Sequence, residues 1–147
     1  MLKTKIKTFS ELTTQELYDV LQLRAEVFVV EQDCVYQDVD GKDQKAIHII
    51  GYSNENLVAY TRIFKPGDYF KEASIGRVVV KESERQHKYG FTIMEASIKA
   101  IQDEFNETVI KISAQTYLNN FYSKLGFKAI GEEYLEDGIP HVAMLKN

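Results

Sequence analysis

Residues 74–100 read SIGRVVVKESERQHKYGFTIMEASIKA. The opening SIGRVVV is a near-continuous apolar run, the pattern of a strand buried on both faces. A polar, basic stretch follows, and Gly90 stands where the pattern changes. From there Met94, Ile98, Ile101 and Phe105 recur at helical spacing. Beyond them TVIKISA, residues 108–114, is β-rich again. A strand, a helix and a second strand of this kind form a right-handed crossover between parallel strands.

The flanking segments extend that unit. Upstream, KTKIKTF at residues 3–9 alternates as a short strand does. Thr13 and Glu16 have capping-box spacing ahead of Leu17, Val20, Leu21, Ala25 and Phe28, which predicts a first helix of roughly four turns. After the loop of residues 31–44, HIIGY and LVAYTRIF flank SNEN as a hairpin. Downstream, YLNNFYSKL is a short helix stopped by Gly126, and FKAIGEEYL and HVAML are a last strand pair joined by EDGIP. The order β-α-β-β-β-α-β-α-β-β predicts an α/β fold: a mixed, mostly antiparallel sheet around a central β-α-β crossover, with helices on both faces.

Totals set the outer limits. The 147 residues fit a single domain, residues 1–147, with 44% hydrophobic and 27% charged residues. A net charge of -4 gives no reason to expect nucleic acid or an anionic membrane as partner. No signal-peptide or membrane-spanning pattern is present, so the expected location is cytoplasmic. The one cysteine, Cys34, offers neither a disulfide nor a metal-ligand cluster, and no metal is expected. Cys34 itself reads as a packing residue, with no recognisable base beside it.

Local attraction for an anion is a different matter. The first turn of a helix presents unpaired N–H groups and a partial positive charge. Glycine at such a point admits close backbone approach, and Arg85, Gln86, His87 and Lys88 precede it, with Thr92 adding a hydroxyl. A phosphate or pyrophosphate is the matching ligand. The competing reading is a solvated loop whose basic residues balance KESE.

RQHKYG after RVVV, and NNFYSKLGF after the next strand, together resemble the GCN5-related N-acetyltransferase (GNAT) family. That family's pyrophosphate loop, Gln/Arg-x-x-Gly-x-Gly/Ala, falls on Arg85 to Gly90, and its Tyr-x-x-Leu-Gly-Phe falls on Tyr122 to Phe127. LRAEVFVVEQ, DVDGKD and EDGIPH narrow the likeness to the ElaA-like branch. One position departs: Lys88 stands where the loop pattern has its middle glycine, which bears on cofactor affinity.

The resemblance implies acetyl-CoA as donor and direct acetyl transfer to a primary amine of a small molecule or peptide. It implies that the backbone of Val78, Val79 and Val80 pairs with the pantetheine arm. The pyrophosphate would be held by Arg85, Gln86, His87, Lys88, Tyr89, Gly90, Phe91 and Thr92, with Gln115 and Asn119 as further cofactor contacts. Tyr122 takes the role of general acid, against a packing role beside Phe121 and Phe127. Glu136, Asp137 and His141 are candidates for the base, against ordinary turn chemistry in EDGIP. Arg24, Phe28, Glu31 and Asp43 would wall the acceptor site, with Arg24 paired to a carboxylate such as Glu31. His48 reads as a structural histidine. Two alternatives stand beside this reading: a non-catalytic acyl-CoA sensor, and an acyl-homoserine-lactone-synthase-like enzyme. Oligomeric state stays open, with the final strands leaving room for a homodimer.

Overall fold

The computed structural model describes residues 1–147. Strands β1 (Lys3–Thr8), β2 (Ile47–Ser53), β3 (Asn56–Phe64) and β4 (Ala73–Val80) form an antiparallel meander. Helix α2 (Tyr89–Phe105) crosses to β5 (Ile110–Gln115), which lies parallel to β4. After helix α3 (Asn119–Ser123), β6 (Lys128–Glu136) turns back into β7 (Ile139–Lys146). β7 inserts between β5 and β6, so the seven strands run β1-β2-β3-β4-β5-β7-β6. This is the mostly antiparallel α/β sheet with a central crossover that the sequence predicts.

Helix α1 (Thr14–Arg24) begins at the expected capping box, with Glu16 N donating to Thr13 Oγ1 at 3.0 Å and Thr13 N to Glu16 Oε1 at 2.8 Å. Its continuation differs from the expectation of one α-helix. Ala25–Glu31 winds as a π-helix, a form found mostly as short insertions near functional sites. The sheet packs on both faces. Ile93, Met94, Ala100 and Ile101 of α2 join Ile49, Ile63, Ile75 and Ile112 in the larger core. Val20, Leu23 and Val27 cover Ile50, Tyr60 and Val79 on the other side. The turns follow their residues too: Asp137 and Gly138 both take positive φ, as a two-residue type I′ hairpin requires.

Three arginines and three aspartates fasten the long loop after the π-helix to the sheet. Arg24 donates from Nε to Asp38 Oδ2 and from Nη1 to Asp43 Oδ1, both at 2.8 Å. Arg62 reaches Asp40 Oδ2 at 2.6 Å and Asp43 Oδ1 at 2.9 Å, and Arg77 Nε lies 2.7 Å from Asp38 Oδ1. Two expectations are corrected here. Arg24 pairs with Asp38 and Asp43, not Glu31, because its side chain enters the sheet side of α1, where it is 0% exposed. Asp43 is 5% exposed and held by two arginines, so neither it nor Arg24 walls an acceptor site. His48 is structural as expected: Nε2–H donates to the Asp43 carbonyl at 2.9 Å and Nδ1 accepts from the Tyr60 hydroxyl at 2.6 Å.

Candidate active site

β4 and β5 pair only at Ala73–Ile110 and Ser74–Lys111. Past Ser74 the two strands part, leaving facing edges without partners. A β-bulge in β4 sharpens the divergence: Thr61 of β3 faces both Arg77 and Val78, and Arg77 takes φ 50°. Bulges re-aim side chains and end pairing. Val78 lines the resulting cleft, whereas Val79 packs under α1 and stays paired with Tyr60. The cleft holds about 120 Å³ of space.

At the outer end of β4 the chain winds through Glu82–His87 and enters α2 from Lys88. Lys88 adopts φ 60° and ψ 29°, the left-handed conformation a glycine takes at no steric cost. The departure from the loop pattern is therefore accommodated in the backbone: the lysine takes up the glycine's geometry. No side chain caps this helix start, and the Phe91 and Thr92 N–H groups turn back to the Lys88 carbonyl at 3.2 and 3.4 Å. Tyr89 contributes backbone only, since its ring is buried. Gly90 has a second reason to be glycine. A Cβ there would lie 3.2 Å from Phe121 Cζ, so α3 packs directly on the helix start. Arg85 turns away from the loop and toward the π-helix, donating to Glu31 at 2.6 and 2.8 Å and to the Val80 carbonyl at 3.1 Å.

A GNAT acetyltransferase domain model matches residues 9–147. The chain belongs to the GNAT acetyltransferase family. Within it, the chain is 44% identical over 139 residues to the protein ElaA of Escherichia coli K12, covering 93% of this chain and 91% of that one. The crystal structure of ElaA superposes with TM-score 0.92 at 41% identity, with both chains fully covered. An acyl-CoA N-acyltransferase from Pseudomonas aeruginosa superposes with TM-score 0.92 at 40% identity, also over both whole chains.

The structure brings seven of the candidate residues of this GNAT domain to one cleft, whereas none of Arg85 to Thr92 lines it. Phe28, Val78, Gln115, Tyr122, Glu136, Asp137 and His141 all line it. Tyr122 comes from α3, its ring wedged between Phe121 and Phe127, so the packing role is real. Its hydroxyl nevertheless has no hydrogen-bond partner in the protein. Burial raises its pKa well above that of free tyrosine, so it stays protonated. His141 donates from Nδ1 to the Ile139 carbonyl at 2.7 Å, which leaves Nε2 as an acceptor 3.5 Å from Glu136 Oε2. Glu136 Oε1 accepts from Ser113 Oγ at 3.1 Å, and Ser113 also bonds the Tyr134 hydroxyl. Asn119 starts α3 outside the cleft, and Glu31 lies on the Arg85 side.

Sequence reading missed Tyr36, Tyr69, Phe70, Ser74, Arg77 and Ser113, which also line the cleft. They lie in loops or alternate along strands, and no local motif marks them. Only Arg77 carried a signal, as a charge inside an apolar strand.

Proposed function

We propose that this GNAT domain transfers an acetyl group from acetyl-CoA directly to a primary amine. The observation that carries the reading is that Tyr122, Glu136 and His141 line one cleft, opened where two strands part, while the chain leaving the end of β4 enters a helix start without a side-chain cap. These features fit the donor. A helix start without a side-chain cap and the basic loop before it suit a pyrophosphate, and an unpaired strand edge suits an amide-bearing arm. Acetyl-CoA, when bound, supplies the activated acetyl thioester.

The chain's own residues do the rest. Backbone N–H groups of Gln86 to Gly90, with Arg85 and the Thr92 hydroxyl, hold the phosphates. The backbone of Val78 and Val80 orients the arm, and an amide of this strand steadies negative charge on the acyl oxygen, an effect often worth about 3 kcal/mol per donor. His141 Nε2 takes the proton of the incoming ammonium, and Glu136 stabilises the imidazolium so formed. Tyr122 gives its hydroxyl proton to the departing sulfur and is reprotonated by the nitrogen, which sheds its second proton as the amide forms, while His141 passes the first to solvent. No covalent acyl-enzyme is needed, which agrees with a cysteine at the cleft rim that donates to the Asp137 carbonyl at 3.3 Å.

Thiol release from acetyl-CoA in the presence of polyamines, aminoglycosides and lysine peptides tests the reading. Amine-dependent release is expected. Micromolar CoA binding without turnover on any amine would overturn it in favour of an acyl-CoA sensor.

A further inference from the structure

Ser74 occupies the closed end of the cleft, at the last residue pair before β4 and β5 separate. Its neighbours Ala73 and Ile75 belong to the core beside α2, so by strand alternation its side chain faces the opposite, cleft side. The residue is 2% exposed, and its Oγ has no hydrogen-bond partner in the protein. Folds keep few such groups, because a buried hydroxyl left unmet costs about 1–3 kcal/mol. The same residue as alanine would fill the space without that cost. An unpartnered hydroxyl at the blind end of a catalytic cleft has a use when a ligand completes it.

The rest of the lining sets the ligand's character. Glu136 and Asp137 put negative charge in the cleft. The cation there, Arg77, is already matched by Asp38 at 2.7 Å and Asp40 at 3.4 Å. The remaining charge therefore favours a cationic guest over an anionic one. Above neighbouring Gly76, a Cβ would meet nothing within 4 Å, so the strand surface next to Ser74 is open.

We infer that Ser74 is a specificity-determining residue of the acceptor site, and that the acceptor is a cationic amine bearing a second hydrogen-bonding group, a hydroxyl or a carbonyl, which Ser74 meets. This rests on the amine-acetylation reading above and names the acceptor class within it. A plain alkylamine of the same length leaves the Ser74 hydroxyl unmet and is the poorer substrate.

The experiment compares two length series, ω-amino alcohols and ω-amino amides, with n-alkylamines of matching length. At least one polar series is expected to exceed its alkylamine tenfold or more in kcat/KM, and the better series tells hydroxyl from carbonyl. Ser74→Ala should bring that ratio within twofold, chiefly by lowering kcat/KM for the polar series. Its melting temperature should hold or rise, because no protein hydrogen bond is lost. Equal kcat/KM for polar and plain amines, or a preference that survives in Ser74→Ala, overturns the inference. So does a Ser74→Ala melting temperature lower by several degrees, which would show that the hydroxyl serves the fold. If no amine is acetylated, the transferase reading falls. NMR titration of the same amines without donor then decides Ser74 separately: it stands if Ser74→Ala weakens only the polar amines, and falls if all bind alike.

Discussion

Arg85 and Glu31 face each other fork to fork, with N–O distances of 2.6 and 2.8 Å, joining the helix-start loop to the end of the π-helix. One residue comes from the proposed phosphate site and the other from the segment that follows α1. Both are partly solvated, so the pair adds little to stability, about 0–1 kcal/mol. Its importance lies in competition, since Arg85 cannot give both faces of its guanidinium to Glu31 and to a phosphate.

Removing that competitor has a measurable consequence. Glu31→Gln should leave the urea midpoint nearly unchanged and tighten CoA binding severalfold in titration calorimetry. The gain should shrink as salt rises. Weaker binding in the variant would mean that Glu31 positions Arg85 for the phosphates.

Tyr122→Phe removes a hydroxyl without protein partners. Turnover should fall by roughly one to three orders of magnitude, the amount a positioned acid supplies. Melting temperature and CoA affinity should stay close to the parent's. Unchanged turnover would take Tyr122 out of the chemistry.

Gly90→Ala places a methyl 3.2 Å from the Phe121 ring. The expected loss is about 1–2 kcal/mol in chemical denaturation, within the usual cost of overpacking. Combining it with Phe121→Leu should recover much of that loss. Strictly additive effects in the double variant would show that the two residues do not press on each other.

Lys88 holds a left-handed backbone at a cost of roughly 1–2 kcal/mol for a residue with a Cβ. Lys88→Gly relieves it but frees the unfolded chain, so stability should change by less than about 1 kcal/mol. Lys88→Val should lose more, since β-branching fits that conformation poorly. A valine variant as stable as the parent in urea would contradict the geometry.

The buried Arg–Asp cluster governs stability in acid. Burial pushes the Asp43 carboxyl up, but hydrogen bonds from Arg24 and Arg62 more than reverse this, and its pKa lies below the ordinary value. A depressed native pKa stabilises the fold above the unfolded value, near 4, and that contribution is lost as pH falls further. Urea midpoints should therefore drop steeply below about pH 4. Asp43→Ala should cost about 3–5 kcal/mol at neutral pH, because two arginines remain buried without it. A loss under 1 kcal/mol would show that the cluster is dispensable.

The sequence by itself determined the order of elements, because each rests on local rules. Thr13 and Glu16 cap one helix, Asp137-Gly138 makes one turn, and the apolar run before Gly90 followed by a helical stripe makes the crossover. It also placed Tyr122, Glu136, Asp137 and His141, which travel with recognisable motifs and line one cleft. Partner choice was decided elsewhere. Arg24 chose Asp38 and Asp43 over Glu31 because the loop folds back across the sheet. Gly90 answers to Phe121, a residue 31 positions away, and Ser74 faces an open cleft only because β4 and β5 part there. Periodicity records which face of an element is apolar, but which side chains meet depends on sheet order and register, and those exist only in the assembled fold.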